Sequence, residues 1–410
     1  MSSQETFVVI GAGQAGGRAV EAMRAEGFDG RIVLVGAEAH VPYERPPLSK
    51  QLLISDDEKP SRTYIHGADF YREKDIDLRL GVQATQIDRD ARRVTLSDRD
   101  TLDYSKLLLT TGSKLRRLSI PGSGLAGIHY LRDIEESLAI RSELTADAAL
   151  VVVGGGYIGL EVAAAARMRG CRVTVIEMED VVMNRVVAPE IGRFFAEVHR
   201  AEGVDIRTGE GVAGFDGEDR VTAVVGAGGA RYPADLVVVG VGILAETSLA
   251  EAAGLEVTNG IDVDEFGQTS DPNIFAAGDV ANQPSPGGTR RWRLESWRNA
   301  QNQAIAVARV MCGTRTPYAE TPWFWSDQYD LNLQMTGLTD SWDRLVFRGD
   351  PADRKFTAFY MVADKVVMAN AVNAPRDLRF ARMLIEAAAP VADAALADPA
   401  VPLKSLLPAD

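Results

Sequence analysis

The 410-residue chain holds only two cysteines, Cys171 and Cys312, with no CxxC or CxxxxC spacing anywhere. That excludes a disulfide framework, a cysteine-based zinc site and an internal redox dithiol. Both thiols fall where helices are expected to end, which reads as buried structural cysteine, and no metal site is expected. Long apolar runs are also missing, so no stretch reads as a membrane span. The first apolar run, "FVVIGAGQAGG", has no basic leader and breaks into glycines. It reads as a strand rather than a signal peptide, and a cytoplasmic protein is expected. Positive charge is short as well: 44 Lys and Arg stand against 58 Asp and Glu, a net charge of −14. Such a balance argues against nonspecific nucleic-acid binding and against docking on anionic membrane, while leaving room for a local basic patch.

What the chain does have is length, an ordinary globular composition and an internal repeat. Hydrophobic residues make up 46% and charged residues 25%, and the length implies two or three domains. Residues 7–38 read as strand ("FVVI"), glycine turn ("GAGQAG"), helix, strand ("RIVLVG") and acid (Glu38). Residues 150–177 repeat the order: "LVVV", "GGGYIG", "LEVAAAARMRG", "RVTVI" and Glu177. A lone GxGxxG is a weak signal. Two copies, each after a β-branched strand and each followed by an acid about 20 residues on, point to two bound dinucleotides. The first glycine makes the turn, the second lets the backbone approach a pyrophosphate, and the third lets helix and strand pack. The helix N-terminus adds N–H donors, and the acid accepts from ribose hydroxyls.

Between the repeats lie a polar segment (56–75), strands near 82–88 and 93–97, and the buried strand and glycine turn of "KLLLTTGSKLRRL". After the second repeat come a helix over 189–202, strands near 204–208, 221–225 and 235–240, and a helix over 296–312. From Pro317 the character changes. Aromatics cluster in "PWFWSDQYDLNLQMTG"; then "KFTAFYMV", the turn "ADK" and "VVMANAV" read as antiparallel strands, followed by a helix near 376–389. One further stretch, "PYERPPLSK" (42–50), is stiffened by prolines and ends in a flexible lysine. Taken alone it reads as a surface turn before a short helix capped by Ser49.

In their order, the paired glycine units, "PYERPPLSK", "TTG", "GGGYIGLEVAA", "GVGI", "TSDPNIFAAGDVA" and "ESWRNAQNQA" resemble one family. It is the flavoprotein pyridine-nucleotide oxidoreductases, specifically the oxygenase-coupled NADH:ferredoxin reductases, and the resemblance covers essentially the whole chain. It implies two Rossmann-like dinucleotide-binding domains of the glutathione-reductase-like flavoprotein type plus a C-terminal α+β domain. FAD would be bound by 1–113 and 245–317, with an NAD domain (114–244) inserted and a last domain over 318–410. The implied cofactors are FAD and NADH. The implied reaction runs from NADH through FAD to a 2Fe–2S ferredoxin that serves a cytochrome P450 or a ring-hydroxylating dioxygenase.

The resemblance also assigns residues. Gly11, Gly13, Ala15 and Gly16 would face the FAD pyrophosphate; the usual acid position is held by Ala37, so Glu38 would reach the ribose. Asp279, after Gly278, would bind the ribityl chain, and Trp297 would open the helix aimed at the flavin, unless it is plain core. Arg45, Pro47, Ala84, Thr111, Gly112 and Arg132 complete the FAD set, Arg132 being otherwise a solvated arginine. For the nicotinamide nucleotide the set is Gly154, Gly156, Tyr157, Ile158, Gly159, Glu161, Glu177, Gly242 and Glu295. Glu177, Glu179 and Asp180 would repel a 2′-phosphate, which favours NADH over NADPH. Lys50 is expected beside flavin N5, paired with Glu161, and the prolines would fix the loop that delivers it. An acidic ferredoxin would dock on "TRRWR", with Arg290, Arg291, Arg293 and Arg298, unless these form a solvated charge run. A monomer or weak dimer is expected. Two other readings stay open: a reductase of monodehydroascorbate, rubredoxin or a quinone, and a redox-gated binding protein resembling apoptosis-inducing factor.

Overall fold

The computed structural model describes residues 5–285 and 290–408. Contacts divide the chain into two units: one of residues 1–46, 59–114 and 243–320, the other of 47–58, 115–242 and 321–410. The proline-stiffened segment is thus split, its second half grouping with the second unit.

In the first unit, five parallel strands lie in the order Ile274–Ala276, Lys106–Leu109, Thr6–Ile10, Arg31–Gly36, Ile76–Leu80. Phe7 to Ile10 and Ile32 to Val35 are all buried, as expected where both faces of a parallel sheet are covered. The helix Gln14–Ala25 packs with the helix Trp297–Met311 around Ala19, Met23, Ala304 and Val307. The unit also holds a three-stranded antiparallel sheet (Ala84–Asp88, Arg93–Leu96, Thr101–Asp103).

The second unit repeats the plan. Its parallel sheet runs Asp205–Arg207, Arg172–Ile176, Ala149–Val153, Leu236–Val239, Ile128–Tyr130, with the helix Tyr157–Met168 following the central strand. The expected helix near 189–202 is Pro189–Ala201, with proline at its start, where the missing N–H costs nothing. The C-terminal part is a five-stranded antiparallel sheet ordered Trp323–Gln328, Leu331–Gly337, Lys365–Val372, Lys355–Val362, Arg344–Asp350, covered by the helix Pro375–Ala387.

The structure differs from the sequence reading in several places, among them these. The polar stretch 56–75 holds a 3-10 turn, Pro60–Thr63, and a helix, Ala68–Glu73. The helix Ile134–Glu143 went unread although Asp133 and Glu136 form a capping box at its start. Ser49 does not cap the short helix Gln51–Ile54: Lys50 holds that position without a side-chain cap bond. Nor is this segment at the surface, since Leu48, Ser49 and Lys50 are all buried.

Candidate functional site

The first glycine turn is built by steric necessity. Gly11 has φ +112°, and a Cβ there would meet the Thr110 carbonyl oxygen at 2.2 Å. A Cβ on Gly16 would lie 1.9 Å from the Gly11 carbonyl oxygen, so helix and strand approach only without side chains. Gly13, at the helix N-cap, has open space where a Cβ would stand. The donors of the first helical turn therefore face a side-chain-free cradle that fits a pyrophosphate. Gly278 packs against the same turn: a Cβ built on it would be 3.1 Å from that of Ala15, and its N–H donates to Gln303 Oε1 at 2.8 Å. Glu38 accepts from the Tyr43 hydroxyl and, at 2.7 Å, from Arg45, which also donates to Tyr43 at 2.8 Å. Burial pulls the Arg45 guanidinium down, but Tyr43, Glu38 and Asp279 together outweigh it and raise its pKa. The first unit thus gathers Gly11, Gly13, Ala15, Gly16, Glu38, Arg45, Gly278 and Asp279. Thr111 donates to the Glu246 carbonyl at 2.7 Å, Gly112 sits at φ +67°, and Ala84 opens its strand. Trp297 starts a helix capped by the Ser296 hydroxyl.

The second turn has the same construction. Gly154 (φ +105°) lies against the Gly240 carbonyl, Gly159 against that of Gly154, and Gly156 faces open space. Glu177 accepts from the N–H groups of Gly155 (2.6 Å) and Glu179 (2.9 Å), so its carboxylate sits over the turn. Met178, 71% exposed, and the exposed Glu179 and Asp180 follow it. Gly242, at φ +103°, accepts from the Arg116 N–H. Ile158 is exposed, whereas the Tyr157 hydroxyl contacts Met335 Sδ at 2.8 Å and its ring lies 4.7 Å from that of Phe324. Burial pushes that hydroxyl well above the ordinary tyrosine range.

Glu161, two residues past Gly159, is 3% exposed, and three side chains meet its carboxylate. Lys50 Nζ lies 2.9 Å and Ser49 Oγ 2.5 Å from Oε2, and Ser326 Oγ donates to Oε1 at 2.6 Å. The Lys50 ammonium also stands 5.7 Å from the Trp325 ring centre. Backbone carbonyls of the segment are tied down from two helices. Ser137 bonds Leu48, Arg141 bonds Leu52, Ser55 and Glu58, and Arg169 bonds Leu53 and Ile54 and pairs with Asp56. Sequence reasoning missed Ser49, Ser326, Arg141 and Arg169. Ser326 lies within "PWFWSDQYDLNLQMTG", which the sequence marked only as a cluster of aromatics.

Pro47, Lys50 and Arg132 belong to the second unit, and Glu295 to the first. The arginine cluster is largely matched by acids: Arg291 with Asp262, Arg293 with Glu295, and Arg298 with Glu320 at 2.7 Å. Arg290 lies over the Trp292 ring, and Thr289 falls outside the described residues. Burial raises both thiols, Cys171 and Cys312, and they lie in different units.

Residues 5–304 match the family described as pyridine nucleotide-disulphide oxidoreductase, and residues 323–407 match reductase C-terminal. The chain is 43% identical over 406 residues to the anthranilate 1,2-dioxygenase system ferredoxin–NAD(+) reductase component of Burkholderia cepacia, covering 99% of this chain and 100% of the relative. It superimposes with TM-score 0.95 and 39% identity on the ferredoxin reductase for the CYP199A2 system of Rhodopseudomonas palustris, covering 98% and 99%. The reductase of the covalent putidaredoxin reductase–putidaredoxin complex gives TM-score 0.95 at 42% identity, covering 99% and 98%. With two glycine cradles, no dithiol spacing and matches along almost its whole length, the chain belongs to the pyridine nucleotide-disulphide oxidoreductase family and carries a reductase C-terminal domain.

Proposed function

We propose that this enzyme takes electrons from NADH and passes them through FAD to a 2Fe–2S ferredoxin, which serves a cytochrome P450 or a ring-hydroxylating dioxygenase. The observation that carries the proposal is full-length likeness, C-terminal domain included, to reductases named for such systems. FAD, when bound, accepts two electrons together from NADH and releases them singly, so each NADH serves two ferredoxins. Without a dithiol spacing, the chain has no internal disulfide to relay them.

The chain's own residues bind and orient. Gly11, Gly13, Ala15 and Gly16 present helix N–H groups to the FAD pyrophosphate, while Glu38, Arg45, Gly278 and Asp279 serve its ribose and ribityl hydroxyls. Pro47, Ala84, Thr111, Gly112, Arg132 and Trp297 complete the FAD-binding set. Gly154, Gly156, Tyr157, Ile158 and Gly159 do the same for NADH, with Gly242 and Glu295. Glu177, with both carboxylate oxygens already accepting backbone N–H, is an anion set to accept ribose hydroxyls and to repel a 2′-phosphate. Lys50 and Glu161 form a buried pair that holds a positive charge fixed for the step in which NADH gives up its hydride. The domain division that goes with this reading is 1–113 and 245–317 for FAD, 114–244 for NAD and 318–410 for the C-terminal domain. The test is flavin content and anaerobic reduction: purified protein should carry one FAD per chain and bleach on adding NADH. Protein that rebinds no FAD after reconstitution would overturn the proposal.

A further inference from the structure

Behind Glu161 runs a buried line of hydrogen bonds that the nucleotide motif does not require. Ser326 Oγ, which donates to Glu161 at 2.6 Å, is met by Gln328 Nε2 at 3.1 Å. Gln328 Oε1 lies 2.9 Å from His199 Nε2, and His199 Nδ1 lies 3.2 Å from the Tyr329 hydroxyl. Ser326 and Gln328 are two apart on one strand and so share a face, while His199 is in the last turn of the helix Pro189–Ala201. Ser326, Gln328 and His199 are at most 1% exposed.

The direction of every bond follows from one end. An ionised carboxylate only accepts, so Ser326 must give its single proton to Glu161. Its oxygen then accepts from the Gln328 amide, whose own oxygen must accept from His199 Nε2–H. That leaves Nδ1 as the acceptor for Tyr329. All four donors point toward Glu161, and their dipoles reinforce one another.

We infer that Tyr329, His199, Gln328 and Ser326 act as a polarised chain that fixes the Glu161 carboxylate against Lys50, making His199 a positioning residue for the NADH half-reaction. The inference rests on the reading of the Lys50–Glu161 pair given above. Burial holds His199 down to about 4, so the ring stays neutral at ordinary pH and keeps the one proton the chain needs.

Nitrogen-15 NMR of histidine-labelled protein, with its FAD, reads the chain directly, the His199 signals being those lost in His199→Gln. The expected form is neutral with the proton on Nε2; a proton on Nδ1 overturns the chain. The kinetic arm is stopped-flow flavin reduction. His199→Leu should lower the limiting rate roughly two- to tenfold, the loss of about one hydrogen bond, with NADH half-saturation unchanged. His199→Gln, which returns an N–H donor to the Nε2 position, should restore most of it. If His199→Leu does not fold, Ser326→Ala, which removes only the last donor, should give the same loss of limiting rate. A normal rate in these variants alongside a slow Glu161→Gln overturns this inference alone. A normal rate in Glu161→Gln overturns the reading of the pair, and with it any kinetic role for His199.

Discussion

A carboxylate as deeply buried as Glu161 persists only with compensation, and it has a lysine and two hydroxyls. Lys50→Met should therefore strand a charge at a cost on the order of 3 kcal/mol while leaving FAD bound. Flavin reduction by NADH should slow, and Glu161→Gln should partly restore it, so a double-mutant cycle should show coupling. Strictly additive effects would mean the two residues do not act as a pair. His199 gives a pH prediction at the same scale. Its pKa falls from 6.5 to about 4 on burial, so below 6.5 the unfolded chain binds a proton that the folded chain refuses. Stability present above pH 6.5 should decline by ~3 kcal/mol as pH falls toward 4, and His199→Gln should remove that share of the slope in denaturant titrations. An unchanged slope would contradict a neutral buried ring.

Among elements, the strand Arg344–Asp350 and the C-terminal tail are joined through Arg348. Its guanidinium donates to the carbonyls of Leu396, Asp398, Pro399 and Val401 and pairs with Asp377 at 3.3 Å. Arg348→Met should destabilise the protein by about 2–4 kcal/mol, and Lys should not rescue it, because an ammonium cannot span that fan of acceptors. Equal melting temperatures for Arg348→Lys and unaltered protein would contradict this. If the loop after strand Arg172–Ile176 sets nucleotide choice, NADH should be preferred over NADPH by at least about tenfold, and Glu177→Ala should erode the ratio of kcat/KM values. Equal use of both nucleotides by the unaltered enzyme would refute that role. Elements with a strong apolar signal were legible in the residues alone, as with the continuous run "FVVI" and the amphipathic helix Pro189–Ala201. The glycine turns were legible because steric need writes them in residue type. Helix Ile134–Glu143 was missed although its capping box stands in the sequence, because its apolar residues make no clean stripe. The ties of Arg141 and Arg169 were invisible, since a guanidinium that finds distant carbonyls leaves no pattern.

At the scale of the molecule, a net charge of −14 meets a ferredoxin expected to be acidic, so docking depends on local positive charge. The sequence singled out the arginines, but not that Asp262, Glu295 and Glu320 would partner three of them: Asp262 and Glu320 arrive from more than 20 residues away, and Glu295, two residues from Arg293, sits in no pattern that marks the pairing. If Arg290 and Arg291 still steer the partner, their double replacement by Glu should raise the ferredoxin KM and flatten its salt dependence, leaving ferricyanide turnover unchanged. Identical ferredoxin kinetics would place the dock elsewhere. The two strand–glycine turn–helix units were readable because the glycine repeat occurs twice. That residues 47–58 group with the second unit was not, since nothing local marks it. The central claim is met most directly by NADH-dependent cytochrome c reduction with and without an added 2Fe–2S ferredoxin. The account predicts slow reduction that rises steeply and saturably with ferredoxin, at two cytochromes per NADH; a rate indifferent to every 2Fe–2S ferredoxin tried would contradict it.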